Sequence, residues 1–250
     1  MVTSFYTAAS GVIQQQKGLD VTANNIANVN TNGYKPSDAV FTDLLYTRIR
    51  EEGNEVNYPV GHGVRLEKTD NLTDKQGSML QTGHTYDFAI AGKDGFFAVE
   101  TEDGIKYTRN GNFELTLIDG EYYLTASGKG NVLDSEGEPI VVDIKAAEDL
   151  ADADGQEQES GEKVLDIGVY TCPNIDGLLR GENLFYSETE NSGEMEAVEN
   201  PSVLSGYLEG SAVDLADEMK NMILSQRAFQ LNSRLVQVAD EVMQTMNNLR

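Results

Sequence analysis

The sequence predicts an α+β chain, with long N- and C-terminal helices pairing as a coiled coil and a mainly antiparallel β middle domain between them. Three observations predict this. Residues 1–32 hold one acid, Asp20, and one base, Lys17, although the chain has a formal net charge of -24, and their apolar residues recur every three or four positions. The last 40 residues repeat that spacing more strongly. From about residue 63 to residue 193 the apolar period falls to two and turn residues become frequent. These changes divide the chain into an N-terminal assembly helix over 1–35, a connecting segment over 36–62, a β-rich domain over 63–200 and a C-terminal assembly helix over 201–250.

The first helix is expected from about residue 3 to residue 30, roughly 40 Å at 1.5 Å per residue. Phe5, Ala9, Val12, Leu19, Ala23, Ile26 and Val29 form its stripe. Gly33 suits the left-handed conformation just past a helix end, and Pro36 blocks any continuation. Asn24, Asn25, Asn28 and Asn30 compete with the backbone for hydrogen bonds. Two readings stay open: they fray the helix end, or amides spaced three or four apart bond laterally between packed subunits and fix register.

Residues 41–58 are a charged stretch with weak helix or strand signals. Phe88-Ala89-Ile90-Ala91 and Phe96-Phe97-Ala98-Val99 flank Gly92-Lys93-Asp94-Gly95 and suggest a hairpin. Asn110-Gly111, between Ile105–Thr108 and Phe113–Thr116, suggests a second, and Asp119-Gly120 before Tyr122 a third. Residues 164–170 and 184–186 are expected as later strands, and residues 146–162 as an acidic exposed loop.

The last helix is expected over about 214–248, capped by Asp214 or Ser211, with Asp217 and Glu218 suiting the positive end of its dipole. It carries two stripes. One holds Leu231, Leu235, Val238, Val242 and Leu249; the other holds Met219, Met222, Phe229, Val236, Met243 and Met246. A two-stranded coiled coil needs one seam, so a helix with two implies neighbours on both sides, as in a bundle or tube.

Charge sharpens this. Residues 1–32 are neutral and residues 202–250 carry -2, leaving -22 on the middle. Such a surface argues against nucleic acid or anionic membrane as partner, and a polymer of this chain must gather its ends and keep its middle in solvent. Cys172 is the only cysteine, so no intrachain disulfide or cysteine-based zinc site is available. No run of 18 apolar residues exists, and the first 30 residues lack the pattern of a cleaved signal, so any export is expected to use none. Chemistry is poorly supported. His62 and His84 have no acid–nucleophile context, and Gly92-Lys93-Asp94-Gly95 and Gly128-Lys129-Gly130 lack phosphate-loop spacing. Asp152-Ala153-Asp154-Gly155 fails as a calcium loop because Leu150 and Gly161 stand where acids are needed. Nothing in the sequence around Cys172 indicates an activated thiol. The expectation is a non-enzymatic chain with no cofactor and no metal.

Three separated motifs carry a resemblance. Tyr6-Thr7-Ala8-Ala9-Ser10-Gly11, Gln14-Gln15 and the run from Leu19 through Asn24-Asn25-Ile26-Ala27-Asn28 to Gly33-Tyr34-Lys35 resemble the N-terminal signature of bacterial flagellar rod and hook proteins. Val213-Asp214-Leu215-Ala216-Asp217-Glu218-Met219, Gln226-Arg227-Ala228-Phe229-Gln230 and Asn232-Ser233-Arg234 resemble the other end of that family. Gln81-Thr82-Gly83, Asp87-Phe88-Ala89-Ile90, Gly95-Phe96-Phe97 and Tyr107-Thr108-Arg109-Asn110-Gly111-Asn112-Phe113 resemble its middle. Ala212 stands where relatives usually have asparagine.

The resemblance implies an axial component of the flagellar basal body, exported without a cleaved signal through the flagellar type III apparatus. It implies helical stacking into a hollow rod that carries torque from motor to hook, with terminal helices lining the channel and the β middle outside. Chain length and Asp43-Leu44-Leu45-Tyr46 favour the distal rod over the proximal rod or hook. The implied partners are further copies of the chain, neighbouring rod and hook proteins, the export apparatus and any surrounding rings, with no nucleic acid and no membrane insertion. The expected assembly interface is Phe5, Val12, Leu19, Asn24, Asn25, Ile26 and Asn28 with Met219, Met222, Phe229, Leu231, Leu235, Val236, Val238, Val242, Met243 and Met246. A competing reading is an acidic binding module on a helical stalk, which the second stripe disfavours.

Overall fold

The computed structural model describes residues 2–50, 57–118, 120–127, 130–142 and 166–249. The chain forms two compact units: Met1–Val29 with Pro36–Leu72 and Val213–Arg250, and Asn30–Lys35 with Thr73–Ala212.

The first unit contains α1 (Val2–Ala27), β1 (Ser37–Asp43), β2 (Tyr46–Arg50), β3 (Asn57–Gly61), β4 (Val64–Asn71) and α2 (Leu215–Asn248). β1 pairs antiparallel with β4 from Ser37↔Asn71 to Asp43↔Val64, with a register shift between Val40 and Phe41, and β2 pairs antiparallel with β3. The described part of the 41–58 stretch is therefore mostly strand. α1 ends three residues before the expected position. Asn28 Nδ2 donates to the Asn24 carbonyl at 2.8 Å, and the Val29 amide reaches Ile26 rather than residue 25. A side chain that binds a helical carbonyl while the turn tightens ends a helix. At α2 the cap is Asp214, whose Oδ1 accepts from the amides of Ala216 at 2.9 Å and Asp217 at 3.3 Å.

The two helices lie side by side. Asn25 Nδ2 donates to Glu218 Oε1 at 2.8 Å, and a Cβ at Gly11 would lie 2.8 Å from Asn232 Nδ2. The second contact is as far back along α1 as it is forward along α2, so they run antiparallel. On another side α1 meets β1 and β4. Gln14 Oε1 accepts from the Leu66 amide at 2.9 Å, and the Phe41 ring abuts Gly18.

The second unit is the β-rich one. Its strands are β5 (Met79–Gln81), β6 (Phe88–Ile90), β7 (Phe96–Thr101), β8 (Gly104–Thr108), β9 (Phe113–Ile118), β10 (Glu121–Ala126), β11 (Gly130–Val132), β12 (Val141–Val142), β13 (Val169–Thr171), β14 (Leu179–Arg180), β15 (Phe185–Ser187), β16 (Glu196–Ala197), β17 (Val203–Ser205) and β18 (Tyr207–Glu209). The main sheet runs β12-β10-β11-β7-β8-β15-β14, with β9 on β10, β13 on β7 and β16 on β13. β6 pairs with β17 and β5 with β18. All these pairings are antiparallel.

β7 organises the core. Successive strand side chains point to opposite faces, so Phe97 and Val99 join Phe88, Phe113, Leu124 and Val169, while Phe96 and Ala98 join Tyr107, Leu133 and Tyr186. A central strand covered on both sides reads as a continuous apolar run. The Phe97 and Phe113 rings meet edge-on at 5.2 Å.

Two expected hairpins are corrected. β6 and β7 flank residues 92–95 but do not pair, because β6 takes β17. β8 and β9 flank Asn110-Gly111 but do not pair either: β8 takes β7 and β15, and β9 takes β10. The tight turn with β8 is instead at residues 102–103, after Thr101. The third hairpin forms between β9 and β10 across Gly120, with Asp119 outside the described residues. The later strands begin at Val169 and Phe185. Residues 146–162 with the Asp152–Gly155 stretch, residues 164–165, and Gly128 and Lys129 lie outside the described residues.

Candidate assembly interface

α2 is long, well capped and almost unsupported. None of its described residues is buried. Its half-covered positions include Glu218, Met222, Ser225, Phe229, Asn232, Val236, Ala239 and Met243, alternately four and three apart. That is a heptad seam, and the Glu218 and Asn232 contacts place it against α1. The other stripe faces solvent: Leu231 is 64% exposed, Leu235 57% and Val238 49%, with Leu224, Val242 and Leu249 continuing it. Met219 and Met246 are also exposed, at 54% and 55%. Extending the antiparallel register sets the start of α1 opposite Asp240 and Glu241, so the last two turns of α2 run past it.

On α1, Phe5, Val12, Leu19 and Ile26 are half-buried. The buried face is offset by one position and made of Ala8, Gly11, Gly18, Thr22 and Asn25. Small side chains let a helix backbone approach its neighbours closely, which larger apolar residues would prevent. The apolar stripe thus keeps part of its surface free. The signal for the covered face was present as small residues at heptad spacing, but an apolar search passes over it.

The asparagines divide. Asn25 is buried at 1% exposure. Its Nδ2 donates to the Ser37 carbonyl at 2.7 Å and to Glu218, and its Oδ1 accepts from the Ser37 amide at 3.0 Å. It therefore ties α1, β1 and α2 together within the chain. Asn24 is exposed, and its Oδ1 accepts from Asn28 Nδ2 at 3.0 Å.

Burying one leucine-sized side chain is worth about 1.5–3 kcal/mol. An open stripe of Leu224, Leu231, Leu235, Val238, Val242 and Leu249 is thus a large driving force for association, and contiguous exposed apolar surface of this kind marks an interaction site. Among the described residues no helix is long and apolar enough to cross a membrane.

Both helices fall in regions matched by known families. Residues 5–35 match the family described as flagella basal body rod protein, and residues 204–249 match the flagellar basal body rod FlgEFG protein C-terminal family. Over its whole length the chain is 37% identical to the flagellar basal-body rod protein FlgG of Bacillus subtilis, covering all of that protein. It is 35% identical to the FlgG of Agrobacterium fabrum, with 94% of each chain covered. It is 28% identical to the flagellar hook-basal body complex protein FlhP of Bacillus subtilis, again over both whole chains. The chain belongs to the flagellar basal-body rod protein family.

Proposed function

We propose that this chain is a structural axial subunit of the bacterial flagellar basal body, polymerising helically into the distal rod that transmits torque from motor to hook. The observation that carries this reading is the solvent-facing stripe of α2, which is organised like a seam and meets no second helix among the described residues. In the assembled axle a neighbouring copy covers it, and α1 and α2 wind together as a coiled coil. Residues 1–35 and 201–250 are the assembly segments, 36–62 form the connecting segment, and the acidic residues 63–200 face outward, where -20 of the charge stays in solvent. Phe5, Val12, Leu19, Ile26 and the exposed residues of α2 make the contacts between copies. The role is mechanical, not enzymatic.

The partners are further copies of the chain, adjoining rod and hook proteins, the export apparatus that passes it without a cleaved signal, and rings where they surround the axle. The place of action is the rod in the cell envelope. Deleting the gene and imaging isolated basal bodies by electron microscopy tests this. The axle is expected to stop at the distal rod and to be restored by the intact gene. A complete axle in the deletion strain overturns the proposal, and an axle that stops lower assigns the chain to the proximal rod.

A further inference from the structure

The β-rich unit holds a buried ion cluster whose members come from three distant parts of the chain. Glu209 Oε1 accepts from Lys35 Nζ at 2.7 Å and from the Gly77 amide at 2.9 Å, while Oε2 accepts from Arg109 Nη1 at 3.0 Å. All three charged side chains are at most 1% exposed. Lys35 Nζ also donates to the Lys75 carbonyl, and Arg109 to the carbonyls of Gly92 and Lys93. Around them Arg180 donates to the Lys35 carbonyl at 3.0 Å and covers the Tyr34 ring at 4.3 Å. The Gly33 amide donates to the Glu209 carbonyl at 2.7 Å, and the Ala212 amide to Tyr34 at 3.0 Å.

Position gives the cluster its meaning. The chain crosses between units at four places: after Val29, Lys35, Leu72 and Ala212. Gly33, Tyr34, Lys35, Lys75, Gly77, Glu209 and Ala212, at or close to these crossings, are bonded to the cluster or to one another. Packing stability alone does not require ions here. Well-packed apolar groups often serve a buried site as well or better, whereas removing one partner of a buried pair is costly. Burial pushes the Lys35 ammonium below its ordinary value, with the Glu209 carboxylate opposing. Ions do supply geometry, since each Glu209 oxygen has its own donors and tolerates few arrangements.

We propose that Glu209 is a positioning residue, the centre of a latch that fixes the segment following α1 and the segment preceding α2 to the β-rich unit as one piece. A use of this latch in carrying torque rests on the rod-subunit reading; the latch itself does not, because it is a property of the single chain. Its signature is coupling across sequence: loosening either segment loosens the other.

Hydrogen exchange on the full-length monomer tests this, with Glu209→Gln and Lys35→Met and with β7 amides as the internal reference. Lys35→Met leaves the neutral Glu209–Arg109 pair and removes the bonds of the Lys35 ammonium to Glu209 and to the Lys75 carbonyl. It is expected to speed exchange at Ala212 as well as at Gly33. Glu209→Gln leaves two cations without an acid and is expected to speed both amides more, on the order of 100-fold, since breaking a buried pair costs several kcal/mol. β7 amides are expected to keep their wild-type rates. If each substitution speeds only its own segment, or if β7 accelerates equally, or if Glu209→Gln prevents folding while Lys35→Met changes nothing at Ala212, the latch is refuted. Motility is scored separately: coupling without any loss of swimming keeps the latch and counts against its mechanical use.

Discussion

Gly33 shows how one residue can be constrained from two sides. Its φ is +70°, and a Cβ there would lie 2.6 Å from the Asn110 amide nitrogen. The left-handed conformation alone costs an L-residue about 1–2 kcal/mol, and the overlap is with backbone that cannot swing aside. Gly33→Ala is therefore expected to lower the urea midpoint of the full-length chain by at least that much, followed by circular dichroism. An unchanged midpoint would mean that this turn can shift to admit a side chain at no cost. Tyr107 constrains the pH range instead. Burial, and then the Glu188 carboxylate that accepts from its hydroxyl at 2.7 Å, push the phenol well above its ordinary value of 10.0. Burial also raises Tyr170 and Tyr186 above theirs. A group whose pKa is raised on folding supports the fold below its unfolded value and withdraws that support as pH rises toward the folded one. Stability is thus expected to hold to about pH 10 and fall beyond it, with Lys35, whose pKa is lowered, acting in the opposite direction. Tyr107→Phe should flatten the fall; an equally steep loss would assign it to other groups. Neither residue's role is legible beforehand. The left-handed conformation of Gly33 is legible, although α1 ends at Ala27 and not just before it; the surface Gly33 leans on is 77 residues away, and Lys35 and Glu209 are separated by 174.

At the scale of elements, legibility follows the range of the interactions involved. α2 is legible to within a residue because its period, its Asp214 cap and its acids in the first turn are all local. The strands of the β-rich unit are legible as strands for the same reason. Their partners are not, since β6 pairs with β17 more than 100 residues away while a nearby glycine turn suggests a hairpin. The covered face of α1 is misread by one position because close approach selects glycine and alanine over leucine. Two expectations attach to these helices. Leu235 is 57% exposed, so Leu235→Asp should leave the monomer within about 0.5 kcal/mol of wild type yet abolish incorporation, because a neighbour would bury an unpaired charge. Wild-type swimming by that mutant would sink the proposed packing. Hydrogen exchange should also find α2 among the least protected segments of the free monomer, opening for about 1–2 kcal/mol. Ordering each residue costs about that much, and one half-covered seam returns little. Strong protection of residues 215–249 at micromolar concentration would show that the monomer needs no neighbour.

For the whole molecule the question is how a chain of net charge -24 packs against copies of itself. The answer argued from the sequence is segregation: nearly neutral ends make the contacts and an acidic middle stays in water. Segregation reduces repulsion without removing it. Charges screened over about 10 Å at 0.1 M salt still oppose one another when subunits stack closely. Hydrophobic contact between α2 stripes, by contrast, is little affected by moderate salt. The two contributions can therefore be separated by ionic strength. Purified monomer seeded onto rod fragments should elongate several-fold faster at about 0.5 M than at about 0.05 M sodium chloride, because the shorter screening length, about 4 Å against about 14 Å, removes the repulsion and leaves the apolar drive. The final extent should change less than the rate, since long-range repulsion acts mainly on the approach. An elongation rate independent of salt would mean that the acids stand farther than a screening length from any neighbour, and that the charge pattern serves solubility before assembly and not the geometry of the axle.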